Sequence, residues 1–201
     1  SLEVSWGPVE SGQLDYYEIL ISPKEPQTQS PILKYNLNER SVQFNSLVPG
    51  KKYMISVMSV KGQKKSDAQT LIQYTKPNPP SKVIHNVIGG REIHLDWFKR
   101  DVGQVEEYSL SIISLGINGT SNISLPISPI TTQGTSYSFT QLHPGETYEI
   151  TILSRSGGVV SDPIKSVATT NPTSVSELFV DQVDQDYINV SWSRPENLTF
   201  N

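Results

Sequence analysis

Three histidines, His85, His94 and His143, are the only imidazoles in the chain, and imidazole is the side chain best suited to proton transfer or metal ligation near neutral pH. His94 falls on the outward beat of an alternating stretch beside Trp97, and His143 lies in a Leu-His-Pro-Gly turn. Neither has carboxylates or a second histidine at ligand spacing, which favours structural or solvent-facing positions. Cysteine is absent, and with it go thiol nucleophiles, thiolate metal sites and disulfide frameworks. A hydrolytic Ser-His-Asp assembly of the Gly-x-Ser-x-Gly type has no elbow to sit on. The pairs Gly89–Gly90 and Gly157–Gly158 signal β-turns, and no Gly-x-x-x-x-Gly-Lys phosphate loop occurs. Glu106–Glu107 and the trio Asp181, Asp184 and Asp186 offer oxygens to calcium. However, the pair abuts a strand and the trio lacks the glycine turn of a calcium loop. The sequence holds no catalytic constellation and implies no cofactor.

Binding chemistry is better represented. Four Asn-x-Ser/Thr sequons occur, at Asn118, Asn122, Asn189 and Asn197. Asn118 and Asn122 fall in the loop after a third strand, and Asn189 alternates outward between Ile188 and Val190. Exposed sequons suit N-glycans on a secreted chain; the alternative is unmodified polar surface in an intracellular protein. Lys61, Lys64 and Lys65 crowd a hairpin loop, with Lys51 and Lys52 in a nearby turn. Such a loop suits an acidic protein or a sulfated glycan, or is an ordinary solvated hairpin. No Arg-Gly-Asp is present. Pro126 and Pro129 stand in an edge-strand region, where proline blocks unwanted pairing.

A self-repeat at an offset of 95 residues positions these groups: Leu47, Pro49, Gly50 and Tyr53 recur as Leu142, Pro144, Gly145 and Tyr148. Ser66, Asp67, Thr75 and Pro77 recur as Ser161, Asp162, Thr170 and Pro172, and Trp97 recurs as Trp192. A 95-residue unit is the size of one compact domain, so the 201 residues form an array of modules. The formal charge of −4 gives no global cue for nucleic acid or a membrane surface. Residues 1–77 carry nine Lys or Arg against seven acids, and residues 78–201 carry seven against thirteen, so the basic excess is local to the first module. No apolar run reaches the ~18 residues of a membrane-spanning helix, and no signal peptide opens the chain.

Each unit reads as strands. Ile93, Leu95 and Trp97 alternate with polar neighbours, as do Tyr108, Leu110 and Ile112, then Tyr137 and Phe139, then Tyr148, Ile150 and Ile152. The first unit repeats these beats in Leu2–Trp6, Tyr17–Ile21, Val42–Phe44 and Tyr53–Val57. Trp6 to Tyr17 and Trp97 to Tyr108 are both 11 residues apart. Period-two alternation between turn signals predicts an all-β antiparallel sandwich. In Leu-x-Pro-Gly-x-x-Tyr, Pro presets φ, Gly accepts a positive φ, and the tyrosine hydroxyl bonds back to the turn. That is a tyrosine corner, a mark of immunoglobulin-like sandwiches.

Three motifs in fixed order make the chain resemble tandem fibronectin type III repeats. They are the second-strand tryptophans Trp6, Trp97 and Trp192, the corners ending in Tyr53 and Tyr148, and the Tyr-x-Ile strands that follow, with no cysteine pair between the sheets. The resemblance implies an elongated rod of sandwiches: residues 1–76 as a module lacking its first strand, 77–171 as a complete module, and 172–201 as the opening strands of a third. The first strands of the second and third units are expected at Pro79–Val87 and Val175–Val180. Pro-rich linkers, Lys76–Ser81 and Asn171–Ser174, favour semi-rigid spacing. A rod of this kind is expected to offer no deep cleft. The out-of-phase ends are those of an excerpt from a longer array, or of a stub that packs on a neighbouring chain by strand exchange.

Within that class, the corner run of the second unit, followed by Ser156–Gly157–Gly158 and Ser161–Asp162–Pro163, is similar to the many-repeat receptor tyrosine phosphatases. This implies an extracellular stretch of a single-pass receptor or adhesion protein that binds a protein on another cell or in the matrix. Any phosphatase domain would lie elsewhere in the parent, because its nucleophilic cysteine has no counterpart here. The alternatives are an intracellular muscle-filament-type array and a spacer in a secreted polysaccharide-degrading enzyme.

Overall fold

The computed structural model describes residues 1–9, 12–24, 31–116 and 129–193. The described residues form seventeen strands. The first module holds β1 (Leu2–Ser5), β2 (Tyr16–Pro23), β3 (Ile32–Leu37), β4 (Ser41–Phe44), β5 (Lys52–Lys61), β6 (Lys64–Lys65) and β7 (Gln69–Tyr74). The second holds β8 (Lys82–Ile88), β9 (Glu92–Phe98), β10 (Glu107–Ser114), β11 (Ile130–Thr132), β12 (Ser136–Phe139), β13 (Thr147–Ser156), β14 (Val159–Val160) and β15 (Ile164–Thr169). A hairpin of β16 (Leu178–Val183) and β17 (Ile188–Trp192) follows.

All pairing is antiparallel. In the second module one sheet runs β12-β9-β8, and the other runs β11-β10-β13-β14 with β15 also on β13. The first module repeats the large sheet as β3-β2-β5-β6 with β7 on β5. Among the described residues its small sheet is β1-β4. Alternation decides which side chains meet between the sheets. Ile93, Leu95 and Trp97 from β9 face Leu110, Ile112, Ile150 and Ile152 from the other layer, and Phe139 and Tyr148 close the core. In the first module Val4, Ile19, Ile21, Phe44, Tyr53 and Ile55 do the same. Each fully buried Ile or Leu contributes about 1.5–3 kcal/mol relative to an exposed one.

The tryptophans that mark the repeat are packed alike where an opposing sheet exists. Trp6 meets Tyr17 edge-on at 5.4 Å, and Trp97 meets Tyr108 at 5.4 Å. Trp97 is 2% exposed, but Trp192 is 61% exposed because no second layer covers the β16–β17 hairpin among the described residues. Both tyrosine corners form as the sequence predicts. The Tyr53 hydroxyl accepts from the Val48 N–H at 3.0 Å, and the Tyr148 hydroxyl accepts from the His143 N–H at 2.8 Å. The repeat reaches the backbone too: Ser46 and Gln141, one offset apart, hold φ of 59° and 60°.

Two strand bounds differ from expectation. The first strand of the second module starts at Lys82 rather than Pro79, because Pro79 and Pro80 have no N–H to give to the ladder. The corresponding strand after it begins at Leu178 rather than Val175, with an irregular register between Val180 and Gln182.

Candidate ligand-binding surface

The basic loop of the first module is the β5–β6 turn, and two of its three lysines are already engaged. Lys61 Nζ lies 2.6 Å from Asp15 Oδ1, and Lys65 Nζ lies 2.8 Å from Glu18 Oε1. Lys64 is exposed on β6. Lys51, grouped with them by sequence, is buried beneath the corner at 4% exposure, while Lys52 stacks its ammonium 5.6 Å from the Tyr74 ring. Asp15 organises the turn: it accepts from the Gly62 N–H at 2.7 Å as well as from Lys61. Those two bonds hold its carboxyl below the ordinary 3.8. A carboxyl depressed on folding stabilises the folded form above its unfolded value, and that contribution is lost as pH falls through the folded value. The Asp15 carboxyl carbon should therefore titrate in NMR with a midpoint below 3.8, and the Gly62 amide should shift with it. A midpoint at or above the ordinary value would contradict this account of the turn.

His94 and His85 make separate contacts. His94 Nδ1 contacts Ser138 Oγ at 2.8 Å and its Nε2 lies 3.5 Å from Asp96, while His85 Nδ1 contacts Ser166 Oγ at 2.9 Å across β8 and β15. Among the described residues no three His, Asp or Glu side chains are placed to hold a metal ion. Asn189 sits exposed on β17, opposite Gln182. Asn118, Asn122, Asn197 and Pro126 lie outside the described residues. Pro129 directly precedes the edge strand β11.

A groove of about 480 Å³ runs along β1 and β7 of the first module, between Val4, Trp6, Tyr17, Val57 and Leu71. A chain of closed sandwiches was not expected to carry one. In the second module the corresponding place is taken by β8, which lies beside β9 and approaches β15.

Sequence reasoning also missed the outward face of the large sheet in the first module. Ile19, Ile21, Tyr53 and Ile55 point into the core, so their neighbours Leu20 and Met54 point out. Leu20 pairs with Leu33 across β2–β3, and Met54 pairs with Ile72 across β5–β7. Leu33, Met54 and Ile72 are 47%, 36% and 44% exposed. Lys52 and Tyr74 pair at one end of this stripe, and the Lys65–Glu18 ion pair lies toward the other. The second module treats the same face differently. Ser111 stands where Leu20 does, Glu149 where Met54 does and Lys165 where Thr70 does, and Glu149 and Lys165 form an ion pair at 2.8 Å, while Ile72 keeps an exposed apolar counterpart in Val167. The signal was present in the repeat itself, as an offset of 95 residues that turns a methionine into a glutamate.

Two-layer antiparallel sandwiches with paired tryptophans and tyrosine corners define a class: the chain has the fold of tandem fibronectin type III sandwiches. The sequence profile of the Fibronectin type III domain matches residues 1–73. Over 197 residues the chain is 27% identical to Tenascin-R of Rattus norvegicus, covering 97% of this chain and 14% of that protein. It is 24% identical over 173 residues to Receptor-type tyrosine-protein phosphatase eta of Gallus gallus, covering 84% of this chain and 12% of that protein. The chain thus spans only a small part of these curated relatives. Among solved structures, a two fibronectin type-III domain segment from chicken tenascin superposes with a TM-score of 0.55 at 22% identity, covering 84% of this chain and 91% of that one.

Proposed function

We propose that this chain is a ligand-binding and spacing segment from the extracellular part of a cell-surface receptor or adhesion protein, built of modules at 1–76, 77–171 and 172–201. The observation that carries this reading is the asymmetry between equivalent sheet faces. The first module exposes Leu33, Met54 and Ile72 beside Lys52, whereas in the second Glu149, ion-paired with Lys165, replaces the methionine and stands between the exposed Ile113 and Val167. Aliphatic side chains rimmed by a cation suit a protein partner with an apolar centre and a carboxylate at its edge. A sulfated glycan is the weaker ligand for the basic loop, because Lys61 and Lys65 are already neutralised by Asp15 and Glu18. The extracellular setting rests on the sequons at Asn118, Asn122, Asn189 and Asn197. The narrower assignment, an ectodomain of a single-pass receptor-type tyrosine phosphatase, is supported by the Pro144–Pro163 motif run and by the likeness to the chicken phosphatase.

One preparation tests both parts. Protein secreted from a eukaryotic cell under its native signal should lose mass on N-glycosidase treatment, with sites mapping to the sequons. Efficient secretion with every sequon bare would remove the support for an extracellular chain. Cells should adhere to surfaces coated with this protein, and the double change Met54→Glu with Ile72→Lys should cut adhesion by about tenfold, as loss of one 1.4 kcal/mol contact would. Glu149 occupies the place of Met54 in the second module, so this face accepts that charge, and a circular dichroism spectrum matching the parent's shows that the double variant keeps the fold. Unaltered adhesion would exclude this face as the docking site.

A further inference from the structure

The junction between the first two modules is an interlocked surface. The Pro49 carbonyl at the first module's corner accepts from the Gln104 N–H, 2.9 Å away, in the loop between β9 and β10 of the second. Gly50, at φ +69°, lies so close that a Cβ there would fall on the Gln104 carbonyl. Gly103, at φ +115°, leaves only 3.1 Å between the place of its missing Cβ and the same Pro49 carbonyl. A second contact lies across the joint. Tyr74, at the end of β7, packs against Gly157 in the β13–β14 turn, where any Cβ would land inside the ring. Gly157 is held in turn by Glu106, which accepts its N–H at 2.9 Å. On the exposed side Lys76 Nζ meets Asp162 Oδ1 at 2.5 Å.

The linker has little freedom to relax these contacts. Thr75 Oγ1 is buried in the first module's corner, accepting from the Lys51 N–H at 3.0 Å and donating to the Val48 carbonyl at 2.6 Å. The Gly50 N–H donates to the Lys76 carbonyl at 3.2 Å, and Pro77 behind it is buried with φ fixed by its ring. Asn78 Nδ2 then donates to the Val102 carbonyl at 2.9 Å, tying the linker to the loop that carries Gly103. Two contact points on either side of a pinned linker oppose bending and twisting together.

We propose that this joint locks the first two modules at one fixed angle, so that they present their surfaces as a single rigid body. The lock is specific to this junction. At the offset of 95 residues Tyr74 becomes Thr169, Gly103 becomes Leu198, Asn78 becomes Thr173 and Lys76 becomes Asn171. The next junction keeps the corner and its linker bonds, with Gly145, Thr170 and Pro172 in the places of Gly50, Thr75 and Pro77, but lacks the ring, the second glycine and the asparagine, so stiffness in the array is segmental.

The absence of native cysteine makes the test direct. Spin labels at Gln43→Cys on β4 and Ser136→Cys on β12, both exposed positions, report the distance between modules by pulsed electron resonance on the whole chain. The parent should give one narrow distance distribution. Tyr74→Ala removes the ring without touching the turn it meets, and Gly157→Val drives a side chain into the ring from the other side. Each should at least double the width of the distribution while far-UV circular dichroism stays unchanged. Lys76→Ala should leave the width as it is, since an ion pair this exposed holds little. A broad distribution in the parent overturns the proposal, as does an unchanged width in Tyr74→Ala, whose backbone carries no strain that could unfold it.

Discussion

Replacing Trp97 with alanine is expected to destabilise the second module by about 3–5 kcal/mol, whereas the same change at Trp192 should shift stability by less than about 0.5 kcal/mol. The two residues are equivalent in the repeat and differ only in what covers them. Trp97 is sealed between the sheets at 2% exposure, edge-on to Tyr108, with its own N–H on β9 donating to the Thr135 carbonyl at 2.9 Å. Its removal leaves a cavity bounded by two rigid sheets that cannot collapse into it, so the cavity term adds to the lost transfer energy. Trp192 lies 61% exposed on a hairpin and takes little burial energy with it. Urea unfolding of the whole chain followed by circular dichroism should show the second module's transition move to lower denaturant in Trp97→Ala only. Equal shifts from both changes would mean that the opposing sheet does not set the value of this residue. Trp97→Phe should be the milder substitution, since the indole Nε1 has no hydrogen-bond partner within the core and phenylalanine discards that buried donor along with the lost volume.

The contrast between these tryptophans shows what a sequence of this kind makes readable. Alternation within Ile93–Trp97 and Tyr148–Ile152 specified strands, and the recurrence of Leu-x-Pro-Gly-x-x-Tyr specified the corner and even its hydrogen bond, because each is a local constraint on adjacent residues. The edge strands were harder. β7, at the far side of the first module's large sheet, is mostly exposed and lacks a clean alternation of burial, and β15 alternates but turns only Ile164, Ser166 and Ala168 inward, so neither shows a strongly apolar face. The start of β8 was misplaced because prolines extend the backbone without pairing it.

The candidate surface divides along the same line. The crowding of Lys61, Lys64 and Lys65 was visible in sequence, but the ion pairs that engage two of them come from Asp15 and Glu18, more than 40 residues upstream in the chain and brought near by β2–β5 pairing. The stripe of Leu20, Leu33, Met54 and Ile72 draws on four strands, so no single segment displays it. Only a comparison of the two repeats position by position would have exposed it. The joint depends on glycines whose neighbours belong to another module, and a glycine in a turn gives no local hint that another backbone or a ring is packed against it.

Changing Tyr148 to phenylalanine is expected to cost the second module about 1–3 kcal/mol at neutral pH, with a volume change close to nil. The hydroxyl accepts from the His143 N–H at 2.8 Å and donates to Glu146 Oε2 at 2.8 Å. The other oxygen of Glu146 accepts from the Ser114 hydroxyl, so one phenol ties the corner to the end of β10. Without it the His143 N–H and a carboxylate oxygen lose their partner in a half-buried place. The pH dependence separates this role from simple packing. Burial, reinforced by the Glu146 carboxylate, pushes the phenol up to about 12, against about 10 in an unfolded chain. A group whose folded value is raised stabilises fully below its unfolded value, and that contribution fades as pH rises through the folded one. Wild-type stability should therefore decline between about pH 10 and 12 more steeply than that of Tyr148→Phe, and the two curves should converge at the alkaline end. Parallel curves with a constant gap would assign the cost of the substitution to packing alone, and the corner would then hold by shape rather than by its hydrogen bonds.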